Sequence, residues 1–247
     1  MGKIEMDSIN QVFDLIRPVL ERASKLGCAF ADIRAVRGHG GSIMVQDGKA
    51  EKIFYSQNSG LAVRVLFEGA WGFASCDGIG AKGLSQCLEE AIALAKGSAR
   101  YVSDPALVAR IEPIRQESIL QGKLDIDAVD PAKKQAVCLS LERAAVSAGE
   151  GKIVNSIVAY GDGSREMWIA NTAGTEVFSS LGRSRVSCQV TAVEGDVRQQ
   201  NYQVAGHQGG PEILLEMDPE EFSVKAAKKV LGQLRAKKAP AGEFTVI

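Results

Sequence analysis

The chain has 247 residues, 45% of them hydrophobic and 24% charged, with a formal net charge of -1. This is globular composition, neither disordered nor fibrous, and the charge balance leaves no electrostatic footprint for nucleic acid or an anionic membrane. No apolar run approaches the ~20 residues that span a bilayer, and the opening "MGKIEMDSIN" lacks the apolar core of a signal peptide.

The spacing predicts a helix from Ser8, where Ile9, Val12, Phe13, Ile16, Leu20 and Ala23 recur at three and four residues, and Gly27 offers a stop. From Ala31 the period falls to two. "ADIRAVRG", "GSIMVQ", "KAEKIFYS", "GLAVRVLF" and "AWGFAS" read as short strands, with hairpin signals at Asp47-Gly48 and Glu68-Gly69. Ala81 to Ala99 returns to helical spacing. The stretch 104–129 carries two prolines and no clear period, so it reads as a linker or loop.

Asp130-Pro131 predicts a cap followed by proline at the first helical position, with a helix to about Ala148. A second meander follows, its turns expected at Gly161-Asp162-Gly163, Asn171 to Gly174, Leu181-Gly182 and Glu194-Gly195-Asp196. A last helix is expected from Pro219 to Lys237, on the stripe Phe222, Ala226, Val230 and Leu234. The fold class is therefore α+β, with two antiparallel β-meanders each flanked by helices. The expected organisation is an α+β subdomain at 1–103, a linker at 104–129 and a second α+β subdomain at 130–247. Whether the halves share one core stays open.

Few residues carry chemistry on their own. Five scattered cysteines (Cys28, Cys76, Cys87, Cys138, Cys188) read as reduced thiols of a cytoplasmic protein. There is no Cys-x-x-Cys, and the two histidines, His39 and His207, lie far apart, so no self-contained zinc site is expected. His39 reads as a turn histidine at a strand junction. "GDGSRE" at 161–166 reads as a hairpin turn, because the further carboxylates of a calcium loop are absent. "GIGAKG" misses the dinucleotide-binding spacing, and no serine elbow is present. His207 lies among glycines in "VAGHQGG", where a backbone can approach a ligand or a second chain closely.

Three stretches together resemble the TldD/PmbA family: "DGKAEKIFYSQNSGLAVRVLFEGAWGFASCDG", "VRQQNYQVAGHQGG" and "AKKVLGQLRAKKAPAGEFTVI". The resemblance covers essentially the whole chain and is that of the family's N-terminal half. It implies a zinc metallopeptidase acting on peptides or on unfolded or modified proteins. In the TldD branch a helix carrying His-Glu-x-x-x-His follows the strand that begins like "GEFTVI", and it supplies two metal ligands and a general base. That motif has no counterpart here. No catalytic or metal residue is expected in this chain, which holds no cofactor in this reading, zinc being implied for the full-length family member. The resemblance also implies a homodimer, or a heterodimer with a TldD/PmbA (TldE) partner, and a peptide substrate. Gly206, His207, Gln208, Gly209 and Gly210 are the candidate substrate-facing loop. The alternative is a non-catalytic binding or regulatory module that pairs with a full-length partner. Relatives described as modulators of DNA gyrase do not change the expectation of no direct nucleic-acid or membrane contact.

Overall fold

The apolar stripe of the first twenty-odd residues becomes helix α1 (Met6–Lys25), with Ile9, Phe13, Ile16, Leu20 and Ala23 buried. Pro18 stays inside the helix, and Gly27 ends it at φ +86°. The computed structural model describes residues 6–237, 241–243 and 245; the strand start expected at 244–247 falls outside them except for Thr245.

The first meander consists of β1 (Phe30–Gln46), β2 (Lys49–Phe67) and β3 (Ala70–Asp77). Its turns are those expected. Asp47 and Gly48 sit at φ 47° and 81°, and Glu68 and Gly69 at 49° and 78°, the left-handed pair that a tight hairpin requires. Helix α2 (Ala81–Ala99) follows. The stretch expected to be irregular contains a strand, β4 (Arg115–Leu120), and a single 3-10 turn at Ile126–Ala128. Helix α3 (Pro131–Ser147) begins as its cap predicts, with the Asp130 carboxylate accepting from Ala132 N at 2.8 Å. The second meander is β5 (Ile153–Asn171), β6 (Glu176–Glu194) and β7 (Val197–His207). A short helix α4 (Glu212–Leu215) and a π turn (Glu220–Val224) lead into α5 (Lys225–Leu234).

Besides β4, one feature differs from the sequence expectation. Several runs read as separate strands are single long ones. β1 runs straight through His39, Gly40 and Gly41, β5 through Gly161-Asp162-Gly163, and β6 through Leu181-Gly182. These glycines sit in mid-strand, where several let another chain segment come close. A Cβ on Gly40 would lie 2.4 Å from Asp162 O, and one on Gly182 would lie 3.2 Å from Gly209 O.

On the point the sequence left open, the two meanders form one sheet. β1 pairs antiparallel with β5 from Asp32↔Asn171 to Gln46↔Ile157, giving a seven-stranded sheet in the order β3-β2-β1-β5-β6. The outer edge of β6 is shared. β4 runs parallel to Glu176–Leu181, and β7 runs antiparallel to Ser184–Glu194.

The long strands carry two hydrophobic clusters. Ala31, Ile33 and Ala35 of β1 pack with α1 and α2, whereas Ile43 and Val45 pack with α3 and α5. The alternation is unbroken between them, so both helical layers cover one face of the sheet at opposite ends of the strands. Trp168, Ala170 and Phe178 of the second meander complete the first cluster. Between the clusters lies a waist rich in glycine and polar residues.

Candidate functional site

The waist is where alternation places polar side chains on the helix-covered face. Asp162 of β5 is its centre. Lys134, from the first turns of α3, donates from Nζ to Asp162 Oδ2 at 2.5 Å and to Ile126 O at 2.7 Å. Both side chains are 3% exposed. The Tyr160 hydroxyl donates to the same Asp162 oxygen at 2.8 Å. Burial, reinforced by the Asp162 charge, pushes the Tyr160 phenol far above its ordinary range, so it stays protonated. The Tyr55 phenol is also pushed up, by burial first and then by the charges of Asp162, Asp127 and Asp130.

His39 is not a turn residue. It sits in mid-strand with Nε2 3.0 Å from Asp127 Oδ2, out of line for a hydrogen bond. A cavity of about 310 Å³ opens here, lined by His39, Gly41, Tyr55, Gln57, Asp127 and Asp162. Glycine shapes it. A Cβ on Gly41 would lie 2.7 Å from the Tyr55 ring, so the ring lies directly across that glycine.

The opposite face carries a groove of about 1110 Å³. Its floor is small and polar, with Gly38, Gly40, Ser42, Ser56 and Asn58. Phe54, Phe73, Arg34, Arg165 and Asp77 stand around it. This lining suits an extended chain better than a compact apolar ligand. Lys134, locked in an ion pair, and Tyr160, in a carboxylate hydrogen bond, lie on the helix-covered face and do not line this groove.

The loop picked out by sequence lies elsewhere. Gly206 and His207 end β7, and Gln208, Gly209 and Gly210 turn across β6. Gly209 N donates to Gly182 O at 2.9 Å, Ser184 Oγ donates to Gly209 O at 3.2 Å, and His207 Nε2 sits 3.1 Å from Gly210 O. A Cβ on Gly210 would lie 1.9 Å from Leu124 O. The glycines therefore serve a close crossing of three chain segments. The buried Glu212 carboxylate organises it, accepting from Gly210 N and Lys123 N at 3.0 Å each and from Leu124 N at 3.3 Å. Burial alone would raise the Glu212 pKa. The four backbone N–H groups of Glu212, Gly210, Lys123 and Leu124 outweigh it and hold the pKa below the ordinary value. His207 faces solvent beside this carboxylate in a cavity of about 400 Å³ that Glu216 and Asp218 also line.

Sequence reasoning did not single out Lys134, Asp127 or Glu212. "PEILL" around Glu212 carries no local signal, and Asp162 was visible only as part of a supposed turn. A metal fits none of these places: among the described residues, no three His, Cys, Asp or Glu side chains are grouped to hold one. The five cysteines are free, and burial raises Cys138 to about 12 and Cys188 to about 11. Among the described residues, no helix is long and apolar enough to cross a membrane.

Comparison with known proteins agrees with this architecture. Residues 31–95 match the family model described as PmbA/TldA metallopeptidase domain 1, and residues 124–234 match that of the PmbA/TldA metallopeptidase central domain. A metalloprotease of Methanothermobacter thermautotrophicus is 27% identical over 218 residues, 88% of this chain and 46% of that one. One from Methanocaldococcus jannaschii is 26% identical over 88% of this chain and 47% of its own length. The chain thus spans about half the length of these relatives. Among solved structures, a Bacteroides thetaiotaomicron protein named for modulation of DNA gyrase superposes with a TM-score of 0.75 at 20% identity, covering 92% of this chain and 51% of that one. TldE from Thermococcus kodakarensis superposes with 0.71 at 15% identity, covering 88% and 47%. At these identities the superpositions speak to the fold alone.

A mixed fold with two family domains in sequence defines a metallopeptidase-type scaffold. The chain belongs to the TldD/PmbA family.

Proposed function

We propose that this chain is the substrate-handling and assembly part of a TldD-type zinc metallopeptidase acting on peptides or on unfolded or modified proteins. The observation that carries the reading is the pair of family domains at 31–95 and 124–234. The relatives named as metalloproteases are about twice as long as the part matched here, and the described residues offer no metal donor set. Both observations support a hydrolytic centre outside these residues, with zinc belonging to the full-length family member. In this reading the chain works in the cytoplasm as a homodimer or with a TldD/PmbA (TldE) partner. A second reading rests on the same lack of a donor set: a non-catalytic binding or regulatory module that pairs with a full-length partner.

The test is peptide hydrolysis by the purified chain, alone and mixed with a full-length family partner. The expected result is none alone and chelator-sensitive cleavage with the partner, altered by the presence of the chain. Chelator-sensitive cleavage by the chain alone overturns both readings. Stable association that leaves the partner's cleavage unchanged supports the second.

A further inference from the structure

β2 is paired with β1 along its whole length, but β3 covers its outer edge only between Phe67 and Gly60. Gly78 N still reaches Ser59 O at 3.0 Å, and the chain then turns away into α2. Beyond that point no strand among the described residues pairs with the edge. The free edge is not uniform. Lys49, Glu51 and Lys52 charge its far end, as natural edges do against indiscriminate pairing, whereas Ile53–Ser59 carries no charge. Ile53, Phe54 and Tyr55 are 49%, 51% and 49% exposed.

Cavities flank this segment on both faces of the sheet. Phe54, Ser56 and Asn58 point into the large groove, together with Phe73 and Asp77 of β3. Tyr55 and Gln57 line the smaller cavity beside His39 and Asp127. Unpaired main-chain groups with side-chain pockets alternating on either side are the requirements of strand addition: the ladder supplies affinity, and the pockets supply selection.

We propose that Ile53–Ser59 takes up an extended peptide as an antiparallel strand, in line with β3. Charge sets the direction. A peptide antiparallel to β2 begins beside Asp77 and ends beside Lys52 and Lys49, so its amino terminus meets a carboxylate and its carboxylate meets ammonium groups. The parallel direction reverses both pairings. The ligand is a short peptide with free ends, uncharged between them and rich in β-branched residues. This site rests on the peptide-handling reading above and deepens it by naming where on the chain the peptide lies.

The experiment is fluorescence anisotropy of the full chain with a heptapeptide alternating Thr and Val, with free termini and a dye on its central side chain. Saturable binding is expected. Two further peptides carry N-methyl groups on one or the other alternate set of amides. The set facing β2 should lose at least about tenfold in affinity and the other set little, because only one set donates to the edge. Asp77→Asn, or acetylation of the peptide, should weaken binding about twofold to fivefold, the range of an exposed ion pair. Binding that both N-methylated peptides retain overturns the proposal. So does self-association of the chain that Phe54→Lys abolishes and the peptide does not compete, which would assign the edge to a second copy. If the peptide binds this edge but does not compete with hydrolysis by the chain mixed with its partner, the peptide-handling reading fails and the edge site stands. If Phe54→Lys leaves that hydrolysis unchanged and the edge binds no peptide, the edge site alone fails.

Discussion

Lys134 Nζ lies 2.5 Å from Asp162 Oδ2 with both side chains 3% exposed, and this pair ties α3 to the middle of β5. The pair is strong in one sense only. Desolvating both charges offsets much of their attraction, but removing one partner leaves the other buried and uncompensated. Lys134→Met and Asp162→Asn should each cost about 3–5 kcal/mol of unfolding free energy. The double replacement Lys134→Met with Asp162→Asn should cost less than the sum. Urea unfolding of the four proteins measures the coupling, and strict additivity would show that the two charges do not depend on each other.

Glu212 gives the fold an acid sensitivity with a definite sign. Its folded pKa lies below the ordinary value, since four backbone N–H groups outweigh burial. Its stabilisation is therefore fully present above the unfolded pKa of ~4.3 and is lost as pH falls through the depressed folded value. Glu212→Gln should destabilise by roughly 1–3 kcal/mol at neutral pH, because backbone donors lose a charged acceptor. The gap between wild type and variant should narrow as pH drops below about 4. Thermal unfolding across that range checks it, and a gap that widens in acid would reverse the assignment.

What sequence made legible was local. The α1 stripe, the Asp47-Gly48 and Glu68-Gly69 turns and the Asp130-Pro131 cap each act within a few residues, and each forms as its chemistry requires. Gly161, Gly163 and Gly182 show the boundary. Glycine is used both to turn a chain and to let a neighbour approach, and the one-dimensional pattern is the same for both. The neighbours are Gly41, His39 and Gly209, brought close only by strand pairing and by the crossing over β6. Lys134 and Asp162, 28 residues apart, likewise meet through tertiary structure. In 206–210, sequence flagged close backbone approach, which is present. The approached partners, Glu212 and the segment at 122–124, carried no signal of their own.

The glycines at the waist differ in a way that substitution can read. A Cβ on Gly40 would lie 2.4 Å from Asp162 O, a backbone atom with nowhere to go, whereas one on Gly163 would find His39 O at 3.4 Å. Gly40→Ala should force the β1–β5 pair apart and cost roughly 1–3 kcal/mol. Gly163→Ala should stay within about 1 kcal/mol of wild type, since alanine also loses less chain entropy on folding. Chemical unfolding of the two variants tests the contrast. Equal costs would mean that the paired strands can spread at this point.

Trp168 tests whether the two meanders unfold together. It belongs to the second meander but is fully buried in the first cluster, with Nε1 donating to Ile9 O at 3.2 Å and its ring 5.1 Å from Phe178. Truncation removes a large apolar surface, an aromatic pair and a donor to α1 at once. Trp168→Ala should therefore cost about 3–5 kcal/mol. Trp168→Phe keeps most of the volume and should cost less, mainly through the lost hydrogen bond to Ile9 O. The other tryptophan, Trp71, is 38% exposed on β3 and remains as a fluorescent reporter of the first meander in both variants. Because β1–β5 pairing and the Trp168 contact both cross between meanders, the Trp71 signal and far-UV circular dichroism should lose structure at the same urea midpoint. Separate midpoints in the wild-type chain would show that the shared sheet does not couple the two cores.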